Sequence, residues 1–143
     1  MPGSNSTAIA DIIGQAMRIL VVDDDPIQGL YTSAFLDNAK TKVDVAGSGA
    51  EALHKVAQNR YDFILLDYDM PGMNGIDFLN AVRRSGENLK CPVMLVTSHR
   101  DAAIANTAYD AGVCHVFYKP VDWRLLAQMI KYYVTKTTVT PSE

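Results

Sequence analysis

Several side chains that could do chemistry stand directly after short apolar runs. They are the carboxylates of Asp23 and Asp24, the single carboxylate of Asp67, the hydroxyl of Thr97 and the amine of Lys119. If each apolar run is a strand of a parallel sheet, ligands bind beyond the carboxyl ends of those strands. We therefore expect these side chains to converge at one edge of the sheet.

The converging side chains have the chemistry of a phosphoryl-transfer site. Carboxylates packed together repel each other unless a cation neutralises them. An all-oxygen ligand set favours Mg2+, with Mn2+ as a substitute, so Asp23, Asp24 and Asp67 form a candidate metal site. Lys119 and Thr97 suit the oxygens of a phosphate. Asp67 is the best-placed nucleophile for an aspartyl phosphate, because it ends the most apolar strand and precedes a sharp turn.

The elements that would position these residues alternate between two periodicities. Five short apolar runs alternate with five segments of helical period, which predicts an α/β fold with a parallel sheet. The strands are predicted at residues 19–22, 43–46, 63–66, 93–96 and 116–118. Helix caps are predicted at Asp25, Ser48 with Glu51, and Asp122. The fourth helix is predicted to begin near Asp101 and to end at Gly112.

Apolar residues at helical spacing predict the buried faces of the helices. On the first helix these are Ile27, Leu30, Tyr31, Ala34 and Phe35. The second helix has Leu53, Val56 and Ala57, the third has Ile76, Leu79 and Val82, and the fifth has Leu125, Leu126, Met129, Ile130 and Tyr133. The fourth helix has only a thin apolar face.

The bulk composition fits one domain without a membrane span. The 143 residues carry a net charge of −3 and contain no apolar run long enough to cross a bilayer. An acidic chain does not favour direct binding to nucleic acid. Two cysteines without CxxC spacing predict reduced thiols in a cytoplasmic protein. Residues 1–17 are expected to be an extension, either a short amphipathic helix or disordered, and residues 135–143 a polar tail or the start of a linker.

Four segments, in this order and spacing, resemble the receiver domains of bacterial two-component response regulators. They are VVDDDP at 21–26, LDYDMPGMNG at 66–75, VTS at 96–98 and YKP at 118–120. The resemblance covers about residues 18–134. It implies a single flavodoxin-like, doubly wound sheet with strand order 2-1-3-4-5 and five helices.

The resemblance also implies a role for each matching residue. Asp67 corresponds to the phosphoacceptor, Asp24 to a direct Mg2+ ligand and Asp23 to a ligand that acts mainly through water. Asp69 corresponds to the residue whose backbone carbonyl binds the metal. For the Asp69 side chain, a role in the site and mere contact with water are equally open.

The remaining implications concern switching and partners. Thr97 corresponds to a switch hydroxyl that moves to the phosphoryl group, and Lys119 to the lysine that pairs with it. Val116 stands where the family often has an aromatic residue, which leaves an aromatic relay in doubt. Expected partners are a sensor histidine kinase or histidine phosphotransfer protein and a downstream effector or fused output domain. The effector would bind the face of helix four, strand five and helix five, and phosphorylation-linked homodimerisation is a further expectation.

Two other functions remain open at this point. Asp67 and Asp69 after an apolar strand match the nucleophile and general acid of a haloacid-dehalogenase-like phosphatase, but the acidic pair lies upstream and no cap domain fits. A receiver-like binding module that takes no phosphate would usually lack an acid, the threonine or the lysine, and all are present here. We expect a phosphoacceptor that assists its own phosphorylation and dephosphorylation rather than an enzyme. His54, His99 and His115 are expected to be surface residues.

Overall fold

The computed structural model describes residues 16–38, 40–70, 75–84 and 90–138. These residues form one five-stranded parallel sheet with the strand order β2-β1-β3-β4-β5. The strands are β1 (Met17–Val22), β2 (Thr41–Ala46), β3 (Phe63–Asp67), β4 (Val93–Thr97) and β5 (His115–Tyr118). The helices are α1 (Pro26–Leu36), α2 (Gly49–Gln58), α3 (Gly75–Val82), α4 (Ala102–Ala111) and α5 (Trp123–Thr138). The predicted fold class and strand order are confirmed.

Both faces of the sheet are covered, which explains why its strands are continuous apolar runs. Every residue of β3 and β4 is buried. Side chains on one face, such as Leu66 and Leu95, pack with α2, α3 and α4. Side chains on the other face, such as Leu65 and Val96, pack with α1 and α5. The sequence order of the strands reverses at β1 and β3, so a crevice forms where these two strands end side by side.

The predicted helix caps are confirmed by their hydrogen bonds. The Asp25 carboxylate accepts from the backbone N–H groups of Ile27 and Gln28, and Ser48 Oγ accepts from Glu51 N at 3.0 Å. Asp101 and Asp122 cap α4 and α5 in the same way. Gly112 ends α4 with a φ of 106°, a left-handed conformation that favours glycine.

The apolar face predicted for α1 is not buried. Ile27, Leu30 and Tyr31 are 66%, 71% and 67% exposed, whereas Gly29, Thr32 and Leu36 face the sheet. Ala34 is also exposed and Phe35 is half-buried. The physical reason is close packing at Gly29, where a Cβ atom would lie 2.9 Å from a methyl group of Val45. The helix therefore turns its smallest residue, and not its apolar stripe, towards the sheet.

Smaller differences concern the other helices. In α2 the buried alanine is Ala52, and Ala57 is exposed. In α5 the predicted Leu125 is 43% exposed, while the buried face includes Leu126 and Ile130. In both helices the observed buried face is displaced from the predicted face by about one residue position. Of the extension predicted at residues 1–17, only residues 16 and 17 are described, and Met17 already belongs to β1. Residues 71–74 of the turn after β3 also lie outside the described residues. Among the described residues, no helix is long and apolar enough to cross a membrane.

Candidate functional site

Three carboxylates meet where β1 and β3 end. Asp67 is the last residue of β3, and Asp23 and Asp24 follow the last residue of β1 directly. Each of the three offers an oxygen atom within 4.8 Å of the others. Asp67 is 5% exposed, Asp23 is half-buried and Asp24 is exposed. The structure thus brings together the three side chains that the sequence singles out as a candidate metal site.

The electrostatics of this cluster favour a cation. Burial raises the pKa of Asp23 to about 6, and the nearby charge of Asp67 adds to this effect. The N–H group of Asp25, which donates to Asp23 Oδ1 at 2.9 Å, and the charge of Lys119 act in the opposite direction. A half-buried carboxylate that resists ionisation next to a second carboxylate is relieved by a bound divalent cation. The all-oxygen donor set is the kind that Mg2+ prefers, so the residues present fit this ion.

Lys119 brings a positive charge to the same cluster. It follows β5, and its Nζ atom is 3.3 Å from Asp67 Oδ1 and 4.0 Å from Asp69 Oδ2. The backbone N–H of Lys119 donates to the carbonyl of Thr97 at 2.9 Å, which ties the end of β5 to the end of β4. The peptide bond between Lys119 and Pro120 is cis. Within the described ranges, the largely buried Asp67 therefore has Lys119 as its direct cationic partner.

Thr97 ends β4 and is fully buried. Its hydroxyl accepts from the backbone N–H of His99 at 3.0 Å and donates to Asp69 Oδ1 at 3.4 Å. The hydroxyl is thus placed at the same edge of the sheet as Asp67, with Asp69 as its acceptor.

The side chain of Asp69 does not simply project into water. Its Oδ2 atom accepts from the backbone N–H of Ser98 at 3.2 Å and from the Ser98 hydroxyl at 3.1 Å. Its Oδ1 atom lies 3.0 Å from His99 Nε2. The backbone N–H of Asp69 donates to Asp67 Oδ1 at 2.9 Å. Asp69 therefore joins the end of β3 to the segment after β4.

Sequence reasoning missed the contribution of two residues after Thr97. Ser98 belongs to the VTS segment at 96–98, but only its threonine carried a predicted role. His99 is exposed, as expected, yet it contacts Asp69. Their position in the sequence could have indicated this contribution. Ser98 and His99 are the first two residues after β4, so they lie at the same edge of the sheet as Asp69, which follows β3.

Val116, which replaces the expected aromatic residue, is buried in the layer of α2, α3 and α4. Tyr118 packs against the same layer, whereas Phe117 packs on the other face. The Arg100 guanidinium, from the segment before α4, lies over the Tyr118 ring, with its central carbon 5.0 Å from the ring centre.

A cavity of 610 Å³ lies beside the carboxylates, between α1 and the start of α5. Its wall is mostly apolar, and Asp23, Asp67 and Lys119 contribute its charged part. Apolar lining residues include Val21, Tyr31, Phe35, Leu65, Val96 and Trp123. Asp67 is therefore accessible from the side of the sheet on which α1 exposes Tyr31.

The fold and the site together define a class of protein. A model of the response regulator receiver domain family matches residues 19–131, and the chain belongs to this family. This finding confirms the resemblance that the four sequence segments indicate.

Individual relatives agree with the family match. The chain is 33% identical over 116 residues to the chemotaxis protein CheY of Pseudomonas aeruginosa, covering 80% of this chain and 94% of that protein. It is 28% identical over 131 residues to the signal transduction histidine-protein kinase BarA of Escherichia coli, covering 88% of this chain but only 14% of the kinase. A solved structure of the chemotaxis protein CheY4 of Vibrio cholerae matches with a TM-score of 0.77 and 27% identity, covering 82% and 98% of the two chains.

Proposed function

We propose that this chain is a phosphorylation-controlled switch of a two-component system that accepts a phosphoryl group on Asp67. The observation that carries the proposal is the environment of the Asp67 carboxylate. It is almost fully buried, it has Lys119 Nζ at 3.3 Å, and two further carboxylates lie within 4.8 Å. One nucleophile with a lysine and a metal-type ligand set nearby is sufficient for phosphoryl transfer, which depends mainly on positioning and charge stabilisation.

Mg2+ would be held by the carboxylates of Asp23, Asp24 and Asp67 together with the backbone carbonyl of Asp69. When bound, the ion supplies positive charge that offsets the charge on the oxygens of the transferred phosphoryl group. Asp24 is the most accessible of the three carboxylates and is proposed as the direct ligand, whereas Asp23 acts mainly through water. All four of these proposed ligands lie among the described residues.

The proposed donor is a phosphohistidine on a partner protein. An oxygen of Asp67 attacks the phosphorus atom, and the bond between phosphorus and the donor nitrogen breaks. The donor nitrogen keeps the electron pair and takes up a proton, while an acyl phosphate forms on Asp67. Lys119 pairs with the added negative charge, and the Thr97 hydroxyl moves to a phosphoryl oxygen.

The partners follow from the same proposal. A sensor histidine kinase or a histidine phosphotransfer protein would supply the phosphoryl group in the cytoplasm. The movement of Thr97 would alter the face formed by α4, β5 and α5, where an effector, an output domain or a second copy of the chain binds. The chain would act as a phosphoacceptor that assists its own phosphorylation and dephosphorylation, and not as an enzyme that turns over a separate substrate.

Labelling with a small phosphodonor tests the proposal. Acetyl phosphate and Mg2+ should add one acid-stable, base-labile phosphoryl group to the wild type, measured by intact-protein mass spectrometry. Asp67→Asn should not be labelled, and a chelator should abolish labelling of the wild type. Asp122→Asn is the matched control, because it removes one charge from an α5 cap that asparagine can still form.

Two results would contradict the proposal. Labelling of Asp67→Asn to the same extent as the wild type would place the phosphoryl group elsewhere, and absence of labelling in all three proteins would remove the phosphoacceptor role. Steady release of phosphate from a simple phosphate ester by the wild type would favour the phosphatase alternative instead.

A further inference from the structure

The carboxylate of Asp69 makes side-chain contacts to which the proposed function gives no role. We propose that Asp69 is a positioning residue: its carboxylate holds residues 97–99 in place before phosphorylation and so limits how readily Thr97 moves to the phosphoryl group. This inference rests on the proposed function, in which the Thr97 hydroxyl binds a phosphoryl oxygen. It concerns the side chain of Asp69 and not the backbone carbonyl proposed as a metal ligand.

Besides the 4.0 Å contact with Lys119, the contacts of the Asp69 carboxylate among the described residues involve three consecutive residues. Oδ1 accepts from the Thr97 hydroxyl at 3.4 Å and lies 3.0 Å from His99 Nε2. Oδ2 accepts from both the backbone N–H and the hydroxyl of Ser98. Hydrogen bonds to a charged acceptor are stronger than those between neutral groups. The contact with His99 does not require a charged imidazole, because neutral histidine can also donate from Nε2.

The described part of the turn after β3 has hydrogen bonds that do not involve the Asp69 carboxylate. The backbone N–H of Asp69 already donates to Asp67 Oδ1, and the N–H of Met70 donates to the carbonyl of Tyr68 at 3.1 Å. The carboxylate instead points across the sheet edge to the end of β4. Among the described residues, the Asp69 side chain therefore restrains the segment that follows β4.

Phosphorylation would create a competitor for the same donors. A phosphoryl group on Asp67 brings strong acceptor oxygens and extra negative charge. Lys119 Nζ lies 3.3 Å from Asp67 Oδ1 and 4.0 Å from Asp69 Oδ2, within ion-pair distance of both carboxylates. The Thr97 hydroxyl has one proton, so donating it to the phosphoryl group means giving up Asp69. Asp69 thus biases residues 97–99 towards the unphosphorylated arrangement, and phosphoryl binding must overcome this bias.

The test uses the full chain and beryllium fluoride with Mg2+ as a mimic of the phosphoryl group. Asp69→Ala removes all the side-chain contacts and keeps the backbone carbonyl. Ser98→Ala removes one contact without changing any charge, so a gain in that variant cannot come from weaker repulsion of the anion. Asp101→Asn is the charge control, because it removes a charge near the same segment and preserves the cap of α4.

Asp69→Ala should bind beryllium fluoride roughly tenfold more tightly, within the usual range of coupling between sites. Ser98→Ala should show a smaller gain, and the double variant should not exceed Asp69→Ala, because both changes act on one restraint. Asp101→Asn should bind like the wild type. In the unliganded protein, hydrogen exchange of the Ser98 and His99 amides should be faster in Asp69→Ala.

The failures of the two proposals are distinguishable. If the wild type neither binds beryllium fluoride nor is labelled by acetyl phosphate, the proposed function is wrong and this inference falls with it. If the wild type does both, but Asp69→Ala binds no more tightly or leaves amide exchange unchanged, only the inference is overturned. A gain in Asp69→Ala that is matched by Asp101→Asn and absent from Ser98→Ala would assign the effect to charge alone and would also overturn it.

Discussion

Replacing Asp23 by asparagine is expected to stabilise the metal-free protein at neutral pH. Burial, reinforced by the charge of Asp67, raises the pKa of Asp23 from 3.8 to about 6 in the folded protein. Above this pH the folded state carries a carboxylate charge that is better solvated in the unfolded chain. The substituted asparagine side chain cannot ionise, and its amide oxygen can still accept the hydrogen bond that the N–H of Asp25 donates.

The size of the effect follows from the pKa. A folded pKa above the unfolded value means that the folded protein binds more protons between pH 3.8 and about 6, so the stability of the wild type falls across this window as the pH rises. At about 1.4 kcal/mol per pH unit the loss is at most about 3 kcal/mol. Solvent screens a half-buried group, so we expect Asp23→Asn to gain about 1–2 kcal/mol at pH 7.5 and little at pH 3.5.

Urea unfolding at a series of pH values in the presence of a chelator measures this difference. Added Mg2+ should then stabilise the wild type more than Asp23→Asn, because a cation relieves the repulsion that the substitution removes. Asp122→Asn should show neither effect. The reasoning is refuted if Asp23→Asn is less stable than the wild type at pH 7.5, or if its advantage does not shrink on acidification.

Three further predictions concern stability and can be measured by the same unfolding assay. Thr41→Val should stabilise the protein by about 1 kcal/mol, because the buried Thr41 hydroxyl has no hydrogen-bond partner among the described residues; a loss of stability would contradict this. Gly112→Ala should cost about 1 kcal/mol, since a φ of 106° strains any residue with a Cβ atom, and an unchanged midpoint would argue against it. Tyr61→Phe removes a 2.7 Å hydrogen bond to Asp44 and should cost about 1–2 kcal/mol at pH 7. Burial raises the pKa of Asp44, but the Tyr61 hydrogen bond and the ion pair with Arg18 outweigh it and lower the pKa overall. The cost of Tyr61→Phe should therefore shrink as the pH falls below about 4, and a constant cost would rule out this explanation.

The elements and the edge that carries the site could be predicted because their signals are local. An apolar run with both faces buried identifies β3, and the side-chain oxygens of Asp25 and Asp101 mark helix starts by the bonds they make within three residues. Convergence of Asp67 with Asp23 followed from one further rule, that parallel strands present their carboxyl ends at one edge. None of these steps needs the distance between two side chains.

What could not be predicted depends on the tertiary approach of one element to another. The helical period of Ile27, Leu30 and Tyr31 is present in the sequence, but the side that faces the sheet is decided by how closely Gly29 meets Val45. The periodicity of apolar residues indicates that a helix has an apolar face, but it does not indicate whether another element covers that face. The direction of the Asp69 carboxylate cannot be predicted for the same reason, because its partners Thr97, Ser98 and His99 lie 28 to 30 positions further along the chain.

Two of the acids near Asp67, namely Asp23 and Asp69, place opposite demands on the protein. Asp23 lies where burial and a neighbouring carboxylate disfavour its charge, so the site is least stable when no cation is bound. Asp69 is instead well satisfied by hydrogen-bond donors from residues 97–99. A cation is thus attracted to the Asp23 carboxylate, whereas a phosphoryl group must compete with Asp69 for the hydrogen-bond donors of residues 97–99. From the two proposals together it follows that metal binding is favoured before phosphorylation, and that residues 97–99 stay restrained until phosphorylation. Asp23→Asn should therefore affect the first step, metal binding, and Asp69→Ala the second, the movement of Thr97.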